Sequence, residues 1–176
     1  KRTIAEMGRM SVEEFHTADK LPFIVVLDNV RSQHNIGAVF RTADAMLLEG
    51  VYLCGICCCP PNQEIHKTAL GAEESVAWND FAYTKEAICV LKEEGYTCYA
   101  VEQAHDSISL EQAAEQIDDK CKIAVVLGHE VFGVQQEVVD ACDACIEIPQ
   151  YGTKHSMNVS VTAGIVMYRL SEAMRE

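Results

Sequence analysis

The sequence lacks apolar runs long enough to span a bilayer. Runs such as IVVL at 24–27 and IAVVL at 123–127 are far shorter than the roughly 20 residues of a membrane helix. No basic segment followed by an apolar one opens the sequence, so a secretory leader is not indicated. We therefore expect a soluble protein that works in the cytoplasm and not in a membrane.

Basic residues are also few. The chain has 14 Lys and Arg against 27 Asp and Glu, a formal net charge of −13, which repels nucleic acid at long range. Most of the acids fall on the surfaces of predicted helices. The segments with candidate site residues instead carry cations and histidines, namely Arg31, His34, Arg41, Lys67, Lys154 and His155. A basic cleft on an acidic body therefore remains compatible with the sequence.

The regular cysteine spacing of a secreted disulfide framework is missing. The nine cysteines lie partly in apolar, strand-like runs, which fits a reducing compartment. Two C-x-x-C pairs, Cys54 with Cys57 and Cys142 with Cys145, raise the alternative of a four-thiolate zinc site. Because the second pair straddles the start of a predicted strand, we expect small buried hydrophobic residues and no metal.

The order of strands and helices indicates one α/β domain. A chain of 176 residues with 49% hydrophobic residues can bury a core of its own. Valine- and isoleucine-rich runs alternate with amphipathic segments, as in a mostly parallel sheet flanked by helices. Strands are predicted at 23–27, 51–56, 97–101, 123–127 and 144–148 with a weaker one near 75–78, and helices at 36–48, 85–94, 109–117, 135–140 and the carboxyl end. Residues 1–20 are predicted to form an N-terminal extension, and residues 21–176 the domain.

Polar residues at predicted helix starts indicate the caps. Ser11 to Glu14 reads S-x-x-E, a capping box for a short helix. Asn35 is the predicted N-cap of the helix at 36–48, and Gly50 is expected to stop that helix.

One stretch, IPQYGTKHSMNVSVTAGI at Ile148 to Ile165, concentrates polar residues before a predicted helix. It predicts a strand end, a polar loop and a helix with small and apolar residues. Ser156 and Asn158 are candidate caps, and the first N–H groups of the helix can then face a ligand. The alternative is a capped helix that merely follows a loop.

Three segments together carry a family resemblance. They are NIGAVFRTADA at 35–45, VVLGHEVFGV at 125–134 and the stretch at 148–165. In content, order and spacing they resemble the signature motifs of the SpoU (TrmH) branch of the SPOUT methyltransferases, and LDNVRSQHNIGA and HKTALGAEESVAW extend the similarity from about residue 23 to the end. Small departures occur at His129, Gln150 and Met157, and none removes a polar group that the chemistry needs.

The resemblance implies methylation of a ribose 2′-hydroxyl in tRNA or rRNA with S-adenosylmethionine as the cofactor. It also implies a homodimer and a trefoil knot at the carboxyl end, which general rules of chain topology do not predict. Residues 21–176 would then be a SPOUT methyltransferase domain. The motifs do not distinguish a tRNA substrate from an rRNA substrate.

Matched position by position, the motifs imply two groups of site residues. The catalytic set is Asn35, Arg41, Glu130, Ser156 and Asn158, and the cofactor set is Leu127, Gly128, Ile148, Met157 and Asn158. Because the chain is acidic overall, RNA binding needs a local basic patch, and the expected phosphate contacts are Arg31, Arg41, Lys67 and Lys154. A solvated arginine is the alternative for Arg41, and a helix cap is the alternative for Ser156.

The role of Arg41 follows from the chemistry of its side chain. A 2′-hydroxyl is a poor nucleophile until its proton is removed or polarised. A guanidinium has no acceptor and stays protonated far above neutral pH, so it is ill suited as the base. We expect Arg41 to bind a phosphate and stabilise the forming alkoxide, with Glu130 orienting it through a charge-assisted hydrogen bond.

Three other functions remain as alternatives. The first is a non-catalytic RNA-binding dimer with the same fold. The second is a hydrolase with Ser156 as nucleophile and His129 or His155 as base, although no G-x-S-x-G elbow surrounds Ser156. The third is a nicotinamide-dependent enzyme, although no G-x-G-x-x-G follows the first strand.

Overall fold

The computed structural model describes residues 1–176 and shows a seven-stranded, wholly parallel sheet in the order β3-β2-β1-β6-β4-β7-β5. The strands are β1 (Leu21–Asp28), β2 (Leu48–Cys54), β3 (Ala77–Phe81), β4 (Thr97–Val101), β5 (Ile108–Ser109), β6 (Ile123–Gly128) and β7 (Ala144–Glu147). The predicted class, a mostly parallel sheet flanked by helices, is confirmed.

Helices cover both faces of this sheet. They are α1 (Val12–Thr17), α2 (Gln33–Ala45), α3 (Gln63–Ala69), α4 (Ala72–Ser75), α5 (Thr84–Glu93), α6 (Leu110–Glu115), α7 (Gln136–Ala141) and α8 (Val159–Ala173), with a 3-10 turn at Ala5–Met7. Helices α2, α3, α6 and α8 enclose the larger apolar core, while α5 and α7 enclose a smaller one. None of the helices has the length and apolar content needed to cross a membrane.

The central strand β1 shows why continuous apolar runs predict strands in this chain. Val25 and Leu27 face the larger core, and Ile24 and Val26 face the smaller one. A strand covered on both faces needs apolar residues at every position, so its sequence is a continuous apolar run. Asp28 follows as the first polar residue and marks the carboxyl edge of the sheet.

The predicted bounds of α2 were wrong at both ends. The N-cap is Ser32, whose Oγ accepts a hydrogen bond from the Asn35 N–H at 3.2 Å, so Asn35 lies inside the first turn. The helix ends before Leu47, which adopts a left-handed φ of 58°. Gly50 lies within β2, where a Cβ would stand 2.9 Å from the carbonyl oxygen of Ala77 on the neighbouring strand.

The N-terminal residues are attached to the domain. Ser11 Oγ accepts from the Glu14 N–H at 3.1 Å and the Ser11 N–H donates to Glu14 Oε2 at 2.7 Å, so the predicted capping box is confirmed. This cap begins α1, whose Phe15 is buried in the larger core. His16 Nε2 lies 2.9 Å from the carbonyl oxygen of Glu74.

Candidate functional site

A cleft of about 650 Å³ lies at the carboxyl ends of β4, β6 and β7. Its apolar wall includes Val101, Leu127 and Ile146, which stand at or near the last positions of these strands. The volume is in the range of cofactor sites, and parallel sheets bind ligands at this edge. The predicted cofactor residues Leu127, Gly128, Ile148, Met157 and Asn158 all line this cleft.

Gly128 is required where the end of β6 packs against the turn that follows it. A Cβ on Gly128 would stand 2.1 Å from the carbonyl carbon of Gly133. The two residues belong to a tight turn in which the His129 N–H donates to the Gly133 carbonyl and the Gly133 N–H donates to the His129 carbonyl. The turn carries Glu130 to the mouth of the cleft.

The carboxylate of Glu130 holds the N-terminus of α2. Its Oε1 accepts hydrogen bonds from the Ser32 N–H at 2.8 Å and from Asn35 Nδ2 at 3.1 Å, and its Oε2 accepts from the Arg31 N–H at 3.0 Å. Partial burial raises the pKa of Glu130, but these hydrogen bonds outweigh burial and the net pKa lies below its ordinary value of 4.5. Glu130 is therefore an ionised acceptor at neutral pH.

Asn35 and Asn158 join the starts of α2 and α8. Asn158 Nδ2 donates to Asn35 Oδ1 at 3.3 Å, while Asn158 Oδ1 accepts from the N–H groups of Ser160 and Val161 at 2.9 and 3.2 Å. Asn158 is therefore the N-cap of α8. Together with Glu130, these two side chains form one hydrogen-bonded chain that connects the three motif segments.

Ser156 does not cap α8. It is exposed, lines the cleft and makes no hydrogen bond within the chain. The alternative that we gave for Ser156, a helix cap, is wrong because the helix begins two residues later and its N-cap is Asn158. The hydrolase arrangement is not formed either, since Ser156 makes no hydrogen bond to His129 or to His155. The Nδ1 atom of His129 accepts instead from the N–H groups of Val131 and Phe132, at 3.0 and 3.3 Å.

Arg41 does not contact Glu130, so the expected ion pair between them is absent. The carboxylate is held by Arg31, Ser32 and Asn35 instead, and Arg41 lies two turns further along α2. Arg41 is exposed and forms no salt bridge within the chain. It does not line the cleft of its own chain.

The predicted RNA-binding residues occupy different surroundings. Lys67 donates from Nζ to Glu64 Oε1 at 2.6 Å, so a carboxylate already partners its charge. Arg31 and Lys154 are exposed and form no salt bridge. Arg31 flanks the cleft through its backbone contact with Glu130, and Lys154 lies in the loop that leads to Ser156.

The cleft itself is acidic. Its lining contains the carboxylates of Glu102, Glu130 and Glu147 and no lysine or arginine. Such a lining opposes an anionic cofactor such as a nucleotide diphosphate and favours a cationic or neutral one. Apolar walls with carboxylates thus fit an adenosyl group that carries a sulfonium.

Two contributors to the site were not predicted. Ser32 caps α2 beside Glu130, and Glu102 follows β4 at the cleft wall. Ligands of parallel sheets bind at the carboxyl ends of the strands, and this rule would have found Glu102, since it is the first charged residue after the apolar strand β4.

The cysteine pairs lie apart and bury their thiols. Cys54 ends β2 and Cys145 belongs to β7, and three strands separate β2 from β7 in the sheet, so the two pairs do not meet in one four-thiolate site. Burial raises the pKa of Cys54 to about 12 and that of Cys57 to about 11. These thiols stay protonated and pack as small apolar groups.

Comparison with known protein families identifies relatives of this chain, and the match includes the residues that line the cleft. The model of the SpoU rRNA Methylase family matches residues 22–168. The 23S rRNA (guanosine-2'-O-)-methyltransferase RlmB of Neisseria meningitidis is 33% identical over 159 residues, which cover 88% of this chain and 59% of the relative. The tRNA (guanosine(18)-2'-O)-methyltransferase of Thermus thermophilus is 30% identical over 175 residues, which cover 99% of this chain and 86% of the relative. The chain spans 58% of a further TrmH family relative from Staphylococcus haemolyticus.

Solved structures share this fold. The TrmH/SpoU tRNA modifying enzyme of A. aeolicus superposes with a TM-score of 0.80 at 26% identity, covering 93% of this chain and 81% of that one. The AdoMet-bound rRNA methyltransferase of Sinorhizobium meliloti superposes with a TM-score of 0.76 at 26% identity, covering 88% of this chain and 60% of that one.

Proposed function

The chain belongs to the SpoU rRNA Methylase family, and on that basis we propose that it methylates a ribose 2′-hydroxyl in tRNA or rRNA with S-adenosylmethionine. The names of the relatives support both RNA classes, one being an rRNA and the other a tRNA 2'-O-methyltransferase. The observation that carries the proposal is the hydrogen-bonded chain Glu130–Asn35–Asn158 at the mouth of an acidic cleft.

The cleft fits the cofactor. S-adenosylmethionine supplies an electrophilic methyl group on a positively charged sulfur. We propose that Leu127, Ile148 and Met157 pack against its adenosine and that Gly128 allows close approach of the backbone. The carboxylates of the cleft favour its positive charge, and Asn158 offers a neutral amide beside it.

The substrate ribose is proposed to lie between the asparagines and Ser156. Asn35 and Asn158 fix each other's orientation, so the amides are held before the RNA arrives and less orientational freedom is lost on binding. Ser156, which has no partner within the chain, is free to hydrogen bond to the ribose or an adjacent phosphate.

Glu130 is proposed to act as a positioning residue. Its lowered pKa leaves it ionised at neutral pH, and three donors already occupy its carboxylate. It therefore differs from a general base, which needs a pKa near the working pH and a free acceptor. We propose that the 2′-hydroxyl proton leaves to the adjacent phosphate or to water.

An exposed apolar face supports a homodimer. Helices α2 and α8 run in parallel, because Asn158 meets Asn35 at one end and Arg175 Nη2 donates to the Met46 carbonyl at the other, at 2.6 Å. The outer surface of α8 exposes Val161, Ile165 and Tyr168 by 55%, 39% and 57%. An apolar patch of this kind is typical of a protein interface.

Arg41 gains a role in such a dimer. It lies on the exposed side of α2, and we propose that pairing of two chains covers this side as well as the apolar face of α8. Pairing brings Arg41 to the boundary between two chains, where its unpartnered guanidinium can bind a phosphate of RNA in the partner's cleft.

The RNA contacts must overcome a net charge of −13. We propose that Arg31, Arg41 and Lys154 supply them, since all three are exposed and unpaired, with a smaller contribution from Lys67. Two copies in a dimer double this set of cations.

The proposal also includes the topology of the chain, its division into domains and its location in the cell. We propose a trefoil knot at the carboxyl end because the chain belongs to the SpoU rRNA Methylase family. Residues 1–20 are proposed as an extension and 21–176 as the methyltransferase domain. We propose a cytoplasmic location, because free cysteines buried in strands, such as Cys54 and Cys145, fit a reducing compartment.

Two measurements test this function. Calorimetry with S-adenosylmethionine and with NAD should show binding of the first alone, and incubation with methyl-labelled cofactor should transfer label to tRNA or rRNA. Cofactor binding without transfer to either RNA would favour the non-catalytic RNA-binding dimer. No binding of S-adenosylmethionine would contradict the proposal.

A further inference from the structure

Glu102 is a carboxylate at the cleft wall that the proposed mechanism leaves without a role. It follows the last residue of β4, and its N–H donates to the Ile146 carbonyl at 3.1 Å, which fixes its backbone between β4 and β7. The side chain is partly buried and lines the same cleft as Leu127 and Met157.

Backbone N–H groups hold this carboxylate in place. Its Oε1 accepts from the Gln103 N–H at 2.8 Å, and its Oε2 accepts from the Val134 N–H at 3.0 Å. No lysine, arginine or histidine pairs with it. An ionised carboxylate offers about four acceptor positions, so about two remain unused.

The turn that carries Glu130 is shaped around Glu102. Gly133 has a φ of +69°, and a Cβ on it would stand 2.1 Å from Glu102 Oε2. The carboxylate thus fills the space that a side chain at position 133 would take. Two backbone donors use part of the acceptor capacity of this carboxylate, and because Glu102 lines the cleft, a ligand there can donate the remaining hydrogen bonds.

We propose that Glu102 recognises the ribose of the cofactor by accepting hydrogen bonds from its 2′- and 3′-hydroxyls. A vicinal diol presents two donors, and an acidic side chain at the carboxyl edge of a parallel sheet is a known solution for ribose recognition in dinucleotide-binding folds. This inference rests on the proposed function, because it requires an adenosyl cofactor in this cleft.

The alternative is that Glu102 only attracts the positive charge of the sulfonium. Such attraction would act through any carboxylate of the cleft, including Glu147, whose Oε2 accepts from Ser107 Oγ at 2.6 Å. Recognition of the diol depends on Glu102 alone. S-adenosylhomocysteine has no sulfonium, so it removes the attraction to the charged sulfur. Its amino-acid end is the same in the deoxy analogues, so the ratio of affinities isolates the hydroxyl groups.

The test is calorimetric binding of S-adenosylhomocysteine and its 2′-deoxy and 3′-deoxy analogues to the intact chain. The unsubstituted protein should bind the parent about tenfold to hundredfold more tightly than either analogue, the range expected for one hydrogen bond to a charged group. Glu102→Gln should weaken binding of the parent and reduce this ratio to a few-fold. Glu147→Gln should leave the ratio unchanged.

Glu102→Asp is a second variant in case Glu102→Gln fails to fold. It keeps the charge but withdraws the carboxylate by one methylene, so it should also reduce the ratio of the affinities for the parent and the deoxy analogues. A full ratio in Glu102→Gln or Glu102→Asp, or an equal loss in Glu147→Gln, would overturn the role of Glu102 and leave the proposed function intact. No binding of S-adenosylhomocysteine to the unsubstituted protein would overturn both.

Discussion

Glu130 accepts a hydrogen bond from the side-chain amide of Asn35 at 3.1 Å, across 95 positions of sequence. The contact places a carboxylate at the amino end of α2, where the helix dipole and free N–H groups favour negative charge. It also explains why the turn after β6 and the start of α2 act as one unit.

Glu130→Gln should lower the free energy of unfolding by about 1 kcal/mol at neutral pH, as loss of a charged helix cap does. The folded-state pKa of Glu130 is lowered, so its contribution is complete above its ordinary value of 4.5 and is lost as pH falls through the folded pKa. Urea unfolding of both proteins from pH 7 downward should therefore show a difference that shrinks in acid. A difference independent of pH would contradict this role.

Two substitutions of Asn158 should separate its contribution to stability from its contribution to methyl transfer. Asn158→Ala removes the N-cap of α8 and should cost about 1 kcal/mol of stability. Asn158→Asp keeps the cap but loses the donor to Asn35, so stability should be near normal while methyl transfer falls by about tenfold or more. Equal activity of Asn158→Asp and the unsubstituted protein would show that the link to Asn35 is not needed.

Much of the scaffold could be predicted from sequence because it follows local rules. The strands β1, β4 and β6 are continuous apolar runs since both of their faces are buried, and Ser11 with Glu14 forms a cap within four residues. The start of α2 was misassigned because asparagine is a common N-cap residue. In the structure Ser32 is the N-cap, and the side chain of Asn35 donates to Glu130 instead.

Contacts between residues far apart in sequence could not be predicted from local patterns. Glu130 binds the Ser32 N–H from 98 positions away, and no residue pattern shows that it prefers backbone donors to Arg41. The side on which Arg41 emerges depends on how α2 packs against α8. The resemblance implied that Glu130 and Arg41 belong to one site, but the hydrogen bond that we expected between them does not form.

Arg41→Lys tests phosphate binding against base catalysis. Lysine keeps the charge but loses the fork of donors that a phosphate or alkoxide engages, so methyl transfer should fall at every pH. The measurement is kcat between pH 6 and about pH 10, a range that reaches the ordinary pKa of lysine. Near-normal turnover with an optimum moved to lower pH would instead identify position 41 as the base.

Lys154→Ala should weaken RNA binding without changing cofactor affinity. Loss of one phosphate contact should reduce the slope of log K against log salt concentration by about one unit. Lys120→Ala is the matched control, because Lys120 is exposed near the opposite edge of the sheet, just before β6. An unchanged slope in Lys154→Ala would remove this residue from the RNA-binding surface.

Ile165→Glu should separate the proposed dimer, because it places a charge in the middle of the exposed apolar face of α8. Sedimentation equilibrium should give a dimer for the unsubstituted chain and a monomer for the variant. Val131→Glu, at a residue 73% exposed on the turn beside the cleft, serves as the control and should remain dimeric. A dimer that survives Ile165→Glu would show that another surface pairs the chains.

The most direct test of the central claim is the position of the transferred methyl group. Methyl-labelled S-adenosylmethionine, the protein and separate tRNA and rRNA substrates lacking the modification should be incubated and digested to nucleosides for mass analysis. Label in a 2′-O-methyl nucleoside, lost in Asn35→Ala, is the predicted result. Label on a base, or 2′-O-methyl label that persists fully in Asn35→Ala, would contradict the account.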